Sequence, residues 1–489
     1  MKAPLLSVVV PFHNVVSYIE ECLTSLAAQT LEDVEFVLVD DGSGDGSDVI
    51  AKGFAARDPR FRILRQETRG PGPARNLGIR HARGTYLAFA DSDDVVPEGA
   101  YELLVGSLEE TGSDIACGAV RRLTPEGLVP SSLHVKLFRK PRPRTHIRDC
   151  PDLIRDRTVW NKVYRRSFWD GQGLEFPSGL YEDAPVAVAA HVLASSVDLL
   201  NEVVYHWRLR DTGDASITQR RMEASNLEDR AASLCRVQGF LAERAPKLKR
   251  AFDEMVATWD VRFVYEALEE AGEEEAHRLL DAVLPCVEAL HPSVVAGLGA
   301  ARRLELYLLR HRMVPELREV LRFRREEEVR VVRRGLRNPR WYAAYPFFED
   351  RSRGIPSEVY EVTQELVLRL HTDRVRWSGG RLLVEGRASI KRLDERNSKI
   401  KVWLAGRKKP RKKTRIALPV RQDGAAFVAD VPVNTPGRWS LHVEVSANGM
   451  RQSGVVRAAR RQLPRAPRAG ARAGLGKGGR LAIRVRGNG

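Results

Sequence analysis

The feature that most constrains this chain is an alternation in its first 120 residues. Apolar runs at Leu5–Val10, Val34–Val39, Phe61–Leu64, Tyr86–Ala90 and Asp114–Gly118 are separated by stretches of helical spacing at Ser17–Gln29, Asp48–Arg57, Ala74–Ala82 and Gly99–Glu110. In the first of these stretches Ile19, Cys22, Leu23 and Leu26 recur at the period of one helix face. Strands alternating with helices of this length predict an α/β domain whose parallel sheet is covered on both sides. Ligands of such sheets bind in the crevice beyond the carboxyl ends of the strands. The residues just past those ends are therefore the candidates for chemistry.

Three strand ends and one helix start carry unusual groups: Pro11-Phe12-His13-Asn14, Asp40-Asp41-Gly42-Ser43, Asp91-Ser92-Asp93-Asp94, and Gly70-Pro71-Gly72-Pro73-Ala74-Arg75-Asn76. Carboxylates two residues apart after a buried strand form a hard-oxygen site suited to Mg²⁺ or Mn²⁺ and, through the metal, to nucleotide phosphates. Asp41 is placed to accept from a base N–H or a ribose hydroxyl, and Arg75 to neutralise phosphate charge. Each has a plain alternative: a solvated acidic turn, a surface helix arginine, or, for His13, a satisfied loop histidine. Their joint order along one sheet edge favours the functional reading.

These segments resemble the family 2 glycosyltransferases of the GT-A (nucleotide-diphospho-sugar transferase) fold over about residues 5–220. The resemblance rests on Ser-Val-Val-Val-Pro-Phe-His-Asn, Val-Asp-Asp-Gly-Ser-Gly-Asp-Gly-Ser, Ala-Arg-Asn-Leu-Gly-Ile and Ala-Asp-Ser-Asp-Asp, with Val159–Phe168 and Tyr181–Pro185 as later signatures. It implies that Pro11 and Asp41 line the nucleotide-base pocket, that Asp91 and Ser92 meet ribose and sugar, and that Asp93 is the principal metal ligand. Asp183 becomes the catalytic base, or alternatively only a helix N-cap ahead of Pro185. Glu182 is placed to orient the base or the acceptor sugar. Arg208, Ser216 and Thr218, in the segment that resembles the family's closing loop, are donor contacts or members of an ordinary basic loop. Glu67 stands where relatives that transfer N-acetylhexosamine often carry Asn, and the Gln-x-x-Arg-Trp signature of processive relatives is absent. The resemblance thus implies an inverting, metal-dependent single-addition enzyme using a nucleotide sugar, UDP-linked, with Mn²⁺ or Mg²⁺.

The remainder of the 489 residues is organised differently. Residues 120–220 read as irregular structure walling the site. Residues 221–345 form a helical linker domain rich in Glu, Arg, Leu and Ala. Residues 346–457 fall to a period of two and predict a β-sandwich of the immunoglobulin-like kind. Residues 458–489 are basic and poor in apolar side chains, and are expected to be disordered. This order of domains resembles the Gram-positive wall teichoic acid (poly(ribitol-phosphate)) glycosyltransferases, whose C-terminal modules imply a homo-oligomer and a grip on the polymer.

Charge points the same way. The net charge is +16, and Arg407–Arg415 packs seven bases into nine residues. Arg407, Lys408, Lys409, Arg411, Lys412 and Lys413 are the acceptor candidates, since a phosphodiester polymer is a line of negative charge. The competing uses are docking on the anionic inner leaflet, or a solvated loop. A nucleic-acid partner is not expected. Five scattered cysteines without CxxC spacing predict reduced thiols and no zinc site. No apolar run approaches the ~20 residues of a spanning helix, and the expected location is cytoplasmic, with peripheral membrane contact. Two other readings stay open: a transferase acting on a lipid-linked oligosaccharide or other polysaccharide, and a non-catalytic polyanion-binding protein with a vestigial GT-A domain.

Overall fold

The computed structural model describes residues 3–213, 215–409, 412–432, 436–464 and 471–486; the side chains of 407–409 and 412–414 lie outside that description. The chain forms two compact units, one of residues 1–297 and 308–318, the other of 298–307 and 319–489.

The first unit is built on a nine-stranded sheet. Its parallel half comprises β1 (Leu6–Phe12), β2 (Val34–Asp40), β3 (Phe61–Arg65) and β4 (Tyr86–Phe89), in the order β3-β2-β1-β4. Every residue of β1, β2 and β4 is buried, as expected of strands covered on both faces. The cover comes from α1 (Ile19–Ala27), α2 (Ser47–Arg57), α3 (Pro71–His81) and α4 (Ala100–Thr111). The four α1 residues at helical spacing are its buried face. One charge breaks the apolar run of β2: buried Glu35 accepts from the Ser7 hydroxyl at 2.6 Å and from Arg83 at 2.6 Å.

Beyond β4 the sheet departs from the all-parallel expectation. After β5 (Ile115–Thr124), β6 (Gly127–Pro130) and β7 (Arg142–Thr145), the strand β8 (Lys162–Arg165) inserts antiparallel between β4 and β5. The long β9 (Val197–Arg208) then runs parallel to β5. Residues 120–220, read as irregular from sequence, therefore extend the sheet. The signature around Asn161-Lys162 is what makes β8 possible. Lys162 is fully buried, and its ammonium reaches Asp156 at 2.8 Å, the Thr158 carbonyl at 2.6 Å and Asn161 Oδ1 at 2.7 Å. Cys117, Asp156 and His191 sit close enough together to suggest a metal, but the Lys162 ammonium already supplies the positive charge. Burial holds His134 beside them down at about 4, so this is a core ion-pair network.

After α5 (Arg166–Gly171) and α6 (Asp183–Leu193), the first unit continues through α7 (Ala224–Arg244), α8 (Pro246–Met255), α9 (Val261–Glu270) and α10 (Glu273–Glu288). A single π-helical turn, Val256–Asp260, joins α8 to α9. It places the wholly buried Asp260 carboxylate against Arg157 and Arg230.

The second unit is mostly β. After a hairpin of β10 (Val331–Arg334) and β11 (Arg340–Ala343) come β12 (Leu368–Ser378), β13 (Arg381–Ile390), β14 (Lys399–Lys409), β15 (Lys412–Leu418), β16 (Val420–Asp423), β17 (Ala426–Val431), β18 (Gly437–Ala447) and β19 (Met450–Val455). A four-stranded sheet, β12-β13-β17-β16, packs on a larger one built around β14 and β18. Alternate residues of β18 (Trp439, Leu441, Val443, Val445) are buried, the period of a half-covered strand. The segment expected to be disordered adds β20 (Ala471–Leu475) and β21 (Leu481–Val485), which extend the larger sheet to six strands. Leu481 and Ile483 are fully buried there. Three apolar residues at period two (Leu481, Ile483 and Val485) suffice when a sheet edge supplies both the hydrogen bonds and the core, so composition understated the order. All five cysteines are free, and no described helix is long and apolar enough to cross a membrane.

Candidate functional site

The carboxyl ends of β1, β2 and β4 bring the predicted groups to one edge. Pro11 is the penultimate residue of β1, paired with Val39. Asp41, directly after β2, is buried and fully engaged. Its Oδ1 accepts from Gln66 Nε2 at 2.7 Å and from the Arg69 amide at 2.9 Å, and its Oδ2 accepts from the Gly70 amide at 2.8 Å. Its backbone carbonyl takes a bond from His13 Nδ1 at 2.9 Å. Asp41 thus shapes the 66–70 loop that launches α3, while Glu67 on that loop is exposed.

Helix α3 begins where Gly70 adopts φ +93° and Pro71 takes the first helical turn. Gly72 is required by close approach: a Cβ there would lie 2.1 Å from the Pro177 carbonyl oxygen. Asn76 locks the same contact, donating to the Phe176 carbonyl at 2.8 Å and accepting from its amide at 2.9 Å. The helix start is thereby held against the loop that precedes α6. That brings the buried Arg75 between two acids, with its guanidinium bonded to Glu182 and to Asp91. Burial opposes the arginine's charge, but Glu182, Asp91 and Asp183 hold it protonated.

Asp183 is the first residue of α6, with Glu182 at the cap position and no side-chain cap bond. The N-cap reading of Asp183 is therefore not what the structure has. Burial pushes it up to about 6; Arg75 opposes the rise and the Asp91 charge adds to it. Burial likewise pushes Glu182 up to about 8, against Arg75 and with Asp183. The loop bearing these acids is clamped from α7. Asp229 accepts from the Leu180 amide at 3.0 Å, Ser233 donates to the Tyr181 carbonyl at 2.7 Å, and the Tyr181 hydroxyl donates to Asn226 at 2.6 Å.

The acidic cluster after β4 divides its members. The Asp91 amide donates to the Tyr205 hydroxyl at 2.9 Å, and Ser92 is buried. Asp94 is buried, accepting from the Arg208 amide at 2.7 Å through Oδ1, while its Oδ2 has no partner. Burial, followed by the charges of Asp93 and Asp91, pushes Asp94 well above the usual carboxylate range. Asp93 accepts from Arg210 Nε at 2.7 Å, and its carbonyl from Arg208 Nε at 2.6 Å. Three crowded carboxylates, one with an orphaned oxygen, are a donor set of the hard-oxygen kind that suits Mg²⁺ or Mn²⁺.

Arg208 and Arg210 are aimed by Tyr18. Its ring lies under both guanidinium groups, at 5.4 and 5.7 Å, and its hydroxyl accepts from the Asp211 and Thr212 amides at 3.1 and 2.9 Å. Arg210 and Tyr18 are absent from the sequence-based candidates. Arg210 lies in the segment read as a closing loop or an ordinary basic loop, and its bond to Asp93 is what brings it to the acidic cluster. Ser216 and Thr218 lie in a turn after β9, where Ser216 bonds to Gln219 and not to the carboxylate cluster. Asp214 and Arg411 lie outside the described residues, as do the side chains of Arg407, Lys408, Lys409, Lys412 and Lys413.

Comparison with known proteins gives this site a family. Residues 7–171 match the model of glycosyl transferase family 2. The chain is 32% identical over 232 residues to the putative glycosyltransferase EpsH of Bacillus subtilis, spanning 46% of this chain and 67% of that protein. The chain belongs to glycosyl transferase family 2. It is also 36% identical over 210 residues to the uncharacterised glycosyltransferase EpsJ of B. subtilis, over 42% of this chain and 61% of EpsJ. A longer match, 25% identical over 425 residues, covers 81% of this chain and 61% of the poly(ribitol-phosphate) beta-glucosyltransferase of Bacillus spizizenii. Among solved structures, TarS of S. aureus superposes with a TM-score of 0.61 at 16% identity, over 98% of this chain and 85% of TarS. Its 1–349 portion, solved with UDP-GlcNAc, gives 0.58 at 20% identity over 70% and 97% of the two chains. The fold is thus GT-A followed by helices and C-terminal sheets. The family 2 match ends at residue 171, so Glu182, Asp183, Arg208 and Arg210 lie beyond it.

Proposed function

We propose that the protein is an inverting, metal-dependent glycosyltransferase that moves a sugar from a UDP-linked donor to a hydroxyl of an anionic polyol-phosphate polymer. The observation that carries the reading is Asp183, a partly buried carboxylate raised to about 6 at a helix start, next to the Glu182 that Arg75 ties to Asp91 of the acidic cluster. A carboxylate of that basicity takes the proton from an acceptor hydroxyl as it attacks the anomeric carbon, and is mostly ionised at neutral pH. Asp93, with Asp91 beside it, would hold Mn²⁺ or Mg²⁺, which when bound neutralises the leaving diphosphate. Pro11 and the Asp41-shaped loop border the nucleotide side. Arg208 and Arg210 are placed to take over diphosphate charge once Asp93 is otherwise engaged. Glu182 and Arg75 set the electrostatic field around the base.

The donor class is supported by the UDP-GlcNAc complex of TarS, and the acceptor class by the poly(ribitol-phosphate) relative together with this chain's charge of +16. Work at the cytoplasmic face, with peripheral contact to anionic lipid and self-association through the second unit, fits the same reading. The test is release of UDP from UDP-glucose and UDP-N-acetylglucosamine with Mn²⁺, with and without synthetic poly(ribitol phosphate), followed by mass analysis of the polymer. Addition of single sugars that stops with EDTA is expected. Transfer only to a lipid-linked oligosaccharide would replace the acceptor. No donor turnover with any acceptor would leave a polyanion-binding protein.

A further inference from the structure

Asp260 is a buried acid that the proposed reaction leaves unused. It closes the π-helical turn Val256–Asp260, its side chain is 0% exposed, and it serves two arginines from separate elements. Arg157, in the loop ahead of β8, donates from Nη1 to Asp260 Oδ2 at 3.3 Å. Arg230, on α7, donates from Nε to Asp260 Oδ1 at 3.1 Å. Burial pushes the Asp260 carboxyl up, and the two arginines more than reverse the push, so the acid is charged. Two cations on one anion leave a net positive charge in a mostly buried place, where a charge acts more strongly than in water. Turns of the π kind are rare and occur often at functional sites.

Both arginines lead to the corner that carries Asp183. The Arg230 guanidinium lies 5.1 Å from the centre of the Tyr181 ring and 4.9 Å from that of Phe263. It therefore joins the π turn to the tyrosine whose hydroxyl donates to Asn226 and whose carbonyl accepts from Ser233. Arg157 is held from two directions. Its guanidinium lies 6.0 Å from the buried Phe252 ring, and its chain neighbour Asp156 lies 3.7 Å from His191 of α6, the helix that Asp183 begins. The charged and titratable groups around Asp183 are Arg75 from α3, Asp91 after β4, Glu182 beside it, Tyr164 from β8, Tyr181 and Arg157. Arg75 is shared by Glu182 and Asp91, whereas Arg157 answers to Asp260.

We infer that Arg157 and Arg230, held on the Asp260 of the π turn, are positioning residues for Asp183. Arg230 fixes the Tyr181 corner, and Arg157 supplies part of the positive field in which the base works. The inference rests on the base role proposed above and adds to it a device built from the loop before β8 and the helices after β9. These residues act through Tyr181 and through space, and do not touch the reacting atoms.

The test uses the full chain with Mn²⁺, UDP-glucose or UDP-N-acetylglucosamine, and the acceptor that the native protein turns over, and follows kcat/KM from pH 5 to 8. Arg157→Gln is expected to move the acid limb of the profile to higher pH by about 0.5, because a charge favouring the ionised base is gone. Arg157→Lys keeps that charge and is expected to keep the native limb. Asp260→Asn leaves the arginines unbalanced, so its limb is expected at lower pH. Its plateau kcat should fall about tenfold as the Tyr181 corner loosens, with the donor KM unchanged. The thermal shift given by UDP and Mn²⁺ reports that the site is folded in each variant. If Asp260→Asn does not fold, Arg157→Gln decides, since Asp260 there keeps Arg230. A native limb in Arg157→Gln, or equal shifts in Arg157→Gln and Arg157→Lys, would overturn the inference and leave the ion pairs as scaffold. Asp183→Asn separates the two failures. If it keeps near-native turnover, or the native protein turns over no donor, the base reading fails and takes this inference with it. If it is inactive while Arg157→Gln keeps the native limb, only this inference fails.

Discussion

Arg210 Nε lies 2.7 Å from Asp93 Oδ2, so the carboxylate proposed as the metal ligand is held by an arginine two residues past the end of β9. An arginine and a divalent cation compete for the same oxygen. Replacing Arg210 by alanine is therefore expected to tighten nucleotide-free Mn²⁺ binding several-fold, while weakening the affinity for UDP in the presence of the metal. Titration of free Mn²⁺ by electron paramagnetic resonance, with and without UDP, measures both. Weaker Mn²⁺ binding in the nucleotide-free variant would show that Arg210 supports the site instead of competing for it.

Asp183→Asn removes the proposed base with little change in shape. Turnover is expected to fall by ~10²–10⁴, with the thermal shift given by UDP and Mn²⁺ retained. Near-native turnover would take the base role away from Asp183.

The pH dependence follows from the same carboxyl. In the proposed mechanism its charged form is the active one, and its value is about 6, so kcat/KM is expected to rise with pH to a plateau above about 7, with a tenfold loss per unit well below 6. Stability runs the other way. Asp183 at about 6 and Glu182 at about 8 bind protons more tightly folded than unfolded, where carboxyls titrate near ~4. The folded state is thus favoured at low pH, and their contribution declines as pH rises from about 4 to 8. Opposed trends in kcat/KM and in denaturant midpoint between pH 5 and 8 would be the signature. A flat rate profile over that range contradicts the assignment.

Gly72→Ala tests how the site is held. The added Cβ meets the Pro177 carbonyl oxygen at 2.1 Å, so α3 and the 176–182 loop must part. A loss of about 1–3 kcal/mol in unfolding free energy is expected, with a larger fall in turnover than in UDP affinity because Arg75 withdraws from Glu182. Gly99→Ala, where nothing lies within 4 Å of the new Cβ, serves as the control. Equal effects of the two would refute the close-approach argument.

The sequence by itself determined the parallel half of the sheet, the helices that cover it, and the acidic residues at its carboxyl edge. These depend on local patterns: unbroken apolar runs, a helical period, and carboxylates placed just after them. It also marked Asp183 and Arg75 through short signatures. The tertiary structure decided what those patterns leave open. The antiparallel entry of β8 depends on one buried lysine finding Asp156, and the order of 471–485 on a sheet edge built from residues far earlier in the chain. Asp41 proved to be a loop-shaping residue because its partners come from 66–70. Arg210 joined the site because Tyr18, nearly two hundred residues earlier, fixes the backbone after it. The Lys162–Asp156 pair spans six residues and the others join residues far apart in the chain, and periodicity carries no record of such partners.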